Sequence, residues 1–229
     1  MRRAIAPARA PASADGKVRI HIGCGDTELP GFWNIDARPL RHVHYVQSAC
    51  PLDMFDDESA DLIYASHVLE HFSLQGAEQA LAEWHRVLRP EGVLRLAVPD
   101  YGVLAEIYAQ TGDIRRIRGA LMGGQNYPGN FHQSVYDERL LGDLLRSVGF
   151  EEVRRWDPWD VHGGSPPDTS AETRPLDGED MLISLNLEAI KGTDSHKESE
   201  GCPQAQSQDD GHDGHSSRGG HSTDARTHS

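Results

Sequence analysis

Short apolar runs, separated by stretches with helical spacing, constrain this chain more than any other feature. Residues 18–22, 33–36, 43–47, 61–66 and 93–98 each read as a short strand, and 181–190 as a last one. Runs this apolar fit parallel strands covered on both faces. Between them Leu74, Ala77, Leu81, Trp84 and Leu88 recur every three or four residues, with Ser73 as N-cap and Arg89-Pro90-Glu91-Gly92 as a stop. Leu140, Leu141, Leu144, Leu145 and Val148 form a second stripe, closed by Gly149. Such alternation predicts an open α/β sheet with helices on both faces. Only residues 23–32 join the first strand to the second, and they include Pro30 and Gly31. A crossover with its helix takes roughly 10–12 residues, so the first helix is predicted to be one turn or absent.

The ends read differently from the middle. Residues 1–16 are mostly Ala, Pro and Arg, with no continuous apolar stretch for a secretory signal, and are expected to form a disordered leader. Residues 192–229 are Ser, Gly, His, Asp and Gln with almost nothing apolar. Such a tail cannot bury enough surface to offset its ordering entropy, and disorder is expected. It carries His196, His212, His215, His221 and His228. Metal capture by His212 and His215 is conceivable, but a tail supplies no fixed ligand geometry. This leaves 17–191 as a single domain, long enough for a core.

Charge removes two partner classes. The net charge is −14, from 22 Lys plus Arg against 36 Asp plus Glu, and the leader is net basic. Neutralising phosphates needs a basic face, so a nucleic-acid binder is disfavoured, as is docking on an anionic membrane. No apolar run approaches the roughly 20 residues of a membrane helix. Cys24, Cys50 and Cys202 are odd in number and unrelated in spacing. They make neither a disulfide framework nor a zinc site, which predicts a reducing cytoplasm.

In open α/β sheets ligands sit beyond the carboxyl ends of the strands. Here those ends carry Gly23-Cys24-Gly25, then Asp36, then Ser48-Ala49, then Ser66-His67. Glycines let backbone approach a ligand closely, and Asp36 is placed to accept from a ribose diol. A dinucleotide site needs G-x-G-x-x-G and an acid roughly 20 residues on. Position 28 is Glu28, and Asp36 follows Gly25 by eleven residues, so a nicotinamide reductase is disfavoured.

The stretches His21-Ile22-Gly23-Cys24-Gly25, Asn34-Ile35-Asp36, residues 59–71 ending in Ser66-His67-Val68-Leu69-Glu70-His71, and Arg86-Val87-Leu88-Arg89-Pro90-Glu91-Gly92 together resemble the class I S-adenosylmethionine-dependent methyltransferases. The nearest branch is the small bacterial, type 11-like one, which the run from Gly123 to His132 also resembles. The resemblance covers about residues 18–190. It implies a Rossmann-like, seven-stranded, mostly parallel sheet whose last strand is antiparallel. It implies that Gly23, Cys24 and Gly25 line the methionine part of S-adenosylmethionine, that Asp36 holds the ribose, that Ser48 and Ala49 flank the adenine, and that Ser66 and His67 lie beside the sulfonium. The acid that often meets the adenine is missing, since none follows until Asp53.

Methyl transfer from a sulfonium is an in-line displacement for which the protein supplies alignment and desolvation, so no metal is required. A hydroxyl acceptor also needs a base. His132, His67 and Asp100 are the candidates carried forward, with His71 and Tyr101 behind them. His71 also reads as a packing histidine and Asp100 as a helix cap. The acceptor side is expected in 101–136 and in 157–180, a segment that reads as a lid or as disorder. The expected acceptor is a small molecule or a carbohydrate hydroxyl or amine, and the resemblance associates such enzymes with cell-surface glycan pathways. The alternative is a non-catalytic methyltransferase-like binding or regulatory protein.

Overall fold

The computed structural model describes residues 11, 15–127, 129–159 and 168–193. Most of the leader and nearly all of the histidine-rich tail lie outside them. In chain order the strands are β1 Arg19–Ile22, β2 Trp33–Asp36, β3 Tyr45–Val46, β4 Ala60–Ser66, β5 Leu88–Pro99, β6 Phe150–Arg155, β7 Thr173–Leu176, β8 Glu179–Leu182 and β9 Ser184–Lys191. The helices are α1 Leu74–Val87, α2 Tyr101–Thr111, α3 Arg118–Met122 and α4 Glu138–Ser147. Seven strands form one sheet in the order β3-β2-β1-β4-β5-β9-β6, with β9 antiparallel to both neighbours. No helix joins β1 to β2, as the short, proline-containing connection predicts.

Register divides the sheet into two unlike faces. Ile20 pairs with Ile63, Ile63 with Leu94, and Leu94 with Ala189. This row belongs to the main core, where α1 contributes Ala77, Leu81 and Trp84 and α4 contributes Leu141 and Leu145. Ser73 caps α1 as expected, accepting from Gly76 N. The opposite row runs Asn34, His21, Tyr64, Arg95, Glu188, Arg154. It is polar, and two aromatic rings pack on it: Phe32 stands edge-on to His21, and Trp156 edge-on to Tyr64 at 6.0 Å. Arg95 Nε donates to Glu188 Oε2 at 2.5 Å, and Arg154 Nη2 to Glu188 Oε1 at 2.7 Å. Burial pushes the Glu188 carboxyl up, but the two guanidiniums outweigh it and hold it below its ordinary value.

Several elements differ from the sequence expectations. Residues 43–47 shrink to the two-residue β3. Residues 181–190 are two strands in two sheets, because a turn at Asp177-Gly178 pairs β8 back onto β7 before β9 enters the main sheet. Strand β6 hid from the pattern because only Phe150 is buried in it. Leu74 and Leu140, counted in the apolar stripes, are exposed. The described part of 157–180 is a 3-10 turn at Thr169–Ala171 and the β7–β8 hairpin, whose Leu176 packs with Leu104, Ile107 and Ile183 in a second core. Residues 160–167, including His162, lie outside the described residues.

Candidate functional site

The turn after β1 is built around two glycines in the left-handed region. Gly23 has φ +62°, and a Cβ there would meet Val68 Cγ2 at 2.3 Å. Backbone at this position is therefore pressed against the start of the segment after β4. Gly25 N donates to Asp36 Oδ2 at 2.8 Å, and the His42 ring lies 3.0 Å from Gly25 O. Arg38 approaches the other oxygen, its backbone N 2.8 Å and its Nε 3.2 Å from Asp36 Oδ1. A carboxylate has about four acceptor sites. Asp36 thus holds the glycine turn and Arg38 and still keeps room for one more donor. The Arg38 guanidinium lies 5.5 Å from the Tyr127 ring centroid. The Cys24 thiol, buried and beside Asp36, is pushed up to about 12 and is no nucleophile.

Two cavities meet at this turn. One, of about 280 Å³, is lined by Gly23, Asp36, Ser48, Ala49, Val68 and Phe72 among others. The larger, of about 690 Å³, reaches Gly23, Cys24, Gly25, Ser66 and His132. His67, His71 and Tyr127 also line both. Asp36, Ser48 and Ala49 thus come together at one end, and Cys24, Gly25, Ser66 and His132 at the other. Arg38, which the sequence reading missed, also lines the large cavity, as do Tyr127, Glu172 and Arg174 from the two segments expected on the acceptor side. Arg38 follows Asp36 by two residues and could have been found from that; Glu172 and Arg174 reach the site only through the tertiary fold.

The three candidate bases have different surroundings. His67 Nε2 lies 3.1 Å from Thr169 O and its Nδ1 lies 3.1 Å from Glu70 Oε1. Both partners accept, so both ring nitrogens carry protons and neither is a free base. Burial pushes this ring down, but Glu70, with Glu172 and Asp168 farther off, holds it above its ordinary value. Asp100 lines neither cavity. Its Oδ1 accepts from Gly102 N at 3.0 Å and Val103 N at 3.4 Å, capping α2, and its Oδ2 lies 3.7 Å from Arg155. The expectation of a catalytic Asp100 is corrected: the cap reading describes it. His132 alone of the three keeps an uncommitted nitrogen. Its Nδ1 lies 2.8 Å from Ala120 O, which can only accept, so the proton is on Nδ1 and the lone pair on Nε2. Burial holds this ring below its ordinary value, against the pull of Glu70.

The site accommodates S-adenosylmethionine. A Cβ-free cradle at Gly23, a carboxylate with a remaining acceptor position at Asp36 and a cavity between Ser48, Val68 and Phe72 suit backbone approach, a diol and a flat ring in turn. Among solved structures, the fold is similar to an S-adenosylmethionine-dependent methyltransferase of Thermotoga maritima (18% identity, 76% of this chain and 81% of that one, TM-score 0.47). It is also similar to one of Archaeoglobus fulgidus (14%, 77% and 87%, TM-score 0.49). A third is the Burkholderia thailandensis 1,6-didemethyltoxoflavin-N1-methyltransferase with bound S-adenosylhomocysteine (16%, 77% and 71%, TM-score 0.43). No curated protein matches in sequence. Residues 33–96, from β2 into β5, match the methyltransferase-domain family. That match spans residues 33–96 of the 229 and falls on a sheet of this order, and these are the features the chain has in common with the methyltransferase-domain family.

Proposed function

We propose that the chain is an S-adenosylmethionine-dependent methyltransferase that acts on a hydroxyl or amine of a small molecule or carbohydrate. The observation that carries the reading is the 690 Å³ cavity adjoining the glycine turn. It lies within the roughly 300–1,000 Å³ of small-molecule sites. Its lining mixes Arg38 and Arg174 with Asp26, Asp168 and Glu172, and adds Asn126, Asn130 and Tyr127. Such a lining suits a polar acceptor with several hydroxyls. The net charge of −14 argues against nucleic acid as the acceptor. A cytoplasmic site of action and a place in cell-surface glycan biosynthesis are the finer parts of the reading. No described helix is long and apolar enough to cross a membrane.

Gly23, Cys24, Gly25, Asp36, Ser48, Ala49 and Ser66 hold the cofactor in this reading. S-adenosylmethionine brings a methyl group already activated on sulfur. The chain's own task is to align the acceptor and exclude water. His67, protonated and tied at both nitrogens, fixes the wall near Ser66 rather than moving a proton. His132 is the acceptor-side group, as base or as positioning residue.

A second reading has one observation behind it. The Asp36 carboxylate already binds the glycine turn and Arg38, as in a protein that has turned its ribose anchor to structural use. Calorimetry with S-adenosylhomocysteine decides between the two. Micromolar binding supports the transferase, and absence of binding at high micromolar concentration leaves the non-catalytic reading. An acceptor screen with methyl-labelled cofactor then names the product; a labelled oligonucleotide in place of a small molecule would overturn the acceptor class.

A further inference from the structure

Glu70 is fully buried in the 3-10 turn Leu69–His71. Among the described residues its carboxylate oxygens have no close polar partner but the His67 ring. A buried carboxylate left so is costly unless a cation compensates it. His67 stands on Oε1 as an ion pair at 3.1 Å, which leaves the carboxylate facing two more imidazoles. His132 Nε2 is 3.8 Å from Oε1, and the His71 and His132 rings stand edge to face at 4.8 Å. One donor atom from each of Glu70, His71 and His132 lies within 4.8 Å of the others.

The histidine tautomers fit ligation. His71 Nδ1 is 3.2 Å from Phe131 O and His132 Nδ1 is 2.8 Å from Ala120 O. Carbonyls accept only, so both rings keep their proton on Nδ1 and offer Nε2 as an electron-pair donor. This is the outer-shell pattern of metal-binding histidines. The backbones that carry the three residues are also joined. Gln133 N donates to Glu70 O at 2.8 Å, Gln133 Nε2 to His71 O at 2.6 Å, and Ser134 Oγ to Phe72 O at 2.7 Å. Gly123 leaves room behind His132, since a Cβ there would meet its Cδ2 at 3.0 Å.

We propose that Glu70, His71 and His132 form a site for a first-row divalent transition ion, zinc by preference, with an open position toward the large cavity. Two imidazoles and one carboxylate are a common set for such ions, and three protein ligands leave a place for water or substrate. Tetrahedral donors around zinc are about 3.3 Å apart, so a bound ion would draw these side chains together by about 1.5 Å or less. His71 and His132 both line the cavity in which the acceptor is proposed to sit. Resting on that reading, His132 serves the acceptor through the ion, as a positioning ligand. The ion would lower the pKa of a hydroxyl bound to it.

The full chain also carries five tail histidines whose imidazoles would compete for an added metal, so the test begins by changing His196, His212, His215, His221 and His228 to Asn. This variant, stripped with chelator, is titrated with zinc(II) by calorimetry and with cobalt(II) by visible absorption. One equivalent and ligand-field bands are expected. Adding His71→Ala, or separately Glu70→Gln, should weaken zinc binding by at least about tenfold, the lower end of what even outer-shell changes cost. Circular dichroism and thermal melting show whether each variant is folded, and the His71→Ala arm stands if Glu70→Gln unfolds. No zinc or cobalt bound by the tail variant, or an unchanged affinity in folded His71→Ala, overturns the site. S-adenosylhomocysteine titration of the same protein is read separately. Its failure with zinc bound removes the transferase reading and leaves the ion site; failure of zinc with the nucleoside bound does the reverse.

Discussion

His67 Nδ1 lies 3.1 Å from Glu70 Oε1, and His67 holds this position from a left-handed backbone at φ +54°. A non-glycine residue in that region carries strain, so its surroundings must over-determine it. Here the ion pair, Thr169 O and Ser184 Oγ do so.

This pair gives the protein an alkaline weakness. The folded-state pKa of His67 is raised above its ordinary value of 6.5. Its stabilisation is therefore complete below the unfolded value and is lost as pH rises through the folded one. Thermal midpoints of wild type and His67→Gln should differ most below pH 6.5 and draw together as the pH is raised through the range above it. A gap that stays constant over that range would show that the His67 charge carries none of it.

Gly23→Ala should damage stability and cofactor binding together. The added Cβ meets Val68 Cγ2 at 2.3 Å, on a backbone at φ +62°. A loss of about 1–3 kcal/mol in unfolding free energy is expected, with weakened S-adenosylhomocysteine binding. Pairing it with Val68→Ala should recover part of the stability, because the contact is with a methyl that the second change removes. Additive losses in the double variant would place the cost wholly in the dihedral.

His132→Ala and Asp100→Ala should separate chemistry from scaffolding. The first is expected to lower turnover about 10²–10⁴-fold with S-adenosylhomocysteine affinity kept, since it removes an acceptor-side group. The second removes the cap of α2, which costs about 0.5–2 kcal/mol, and leaves turnover of the folded protein near wild type. Steady-state kinetics and chemical denaturation on both variants read the two effects. Equal turnover losses in the two would return Asp100 to the mechanism.

Glu188 gives the opposite pH dependence. Its folded pKa is lowered from the ordinary 4.5 by Arg95 and Arg154. Its contribution is present above the unfolded pKa and fades as pH falls through the folded one. Glu188→Gln should cost about 1–3 kcal/mol at neutral pH, less than a fully buried pair because both arginines are partly exposed. Urea denaturation should find the two proteins alike in acid, and a difference that persists below both pKa values would sink the assignment.

The sheet was legible where side chains repeat the strand or helix period on a buried face. Strands β1, β2, β4 and β5 and the body of α1 follow from that alone. Strand β6 did not, because it lies at an edge and only Phe150 is buried in it. The hairpin β7–β8 was merged with β9, because composition runs unbroken through Ile183 while the backbone changes sheets. At the site, Gly23, Gly25, Asp36 and His132 were readable as residues at strand ends or in a glycine-rich stretch. Glu70 was not singled out, since its surroundings come from His132, sixty-two positions away, and sequence spacing carries no sign of them. The commitment of both His67 nitrogens was likewise invisible, because Thr169 and Ser184 reach it only after the chain folds back.

Strand β9 sits between β5 and β6, and among the described residues β6 has no other sheet partner. A chain emerging from the ribosome therefore completes β1 through β5 long before the stave that joins β6 to them exists. Until residues 184–191 appear, β5 has no neighbour on that side and β6 has no strand to pair with. Unpaired edges of this kind invite pairing with other chains. Truncation before Ser184 would thus not trim the protein but leave its sheet open in the middle, and the interval before β9 docks is when a newborn chain is most exposed to aggregation.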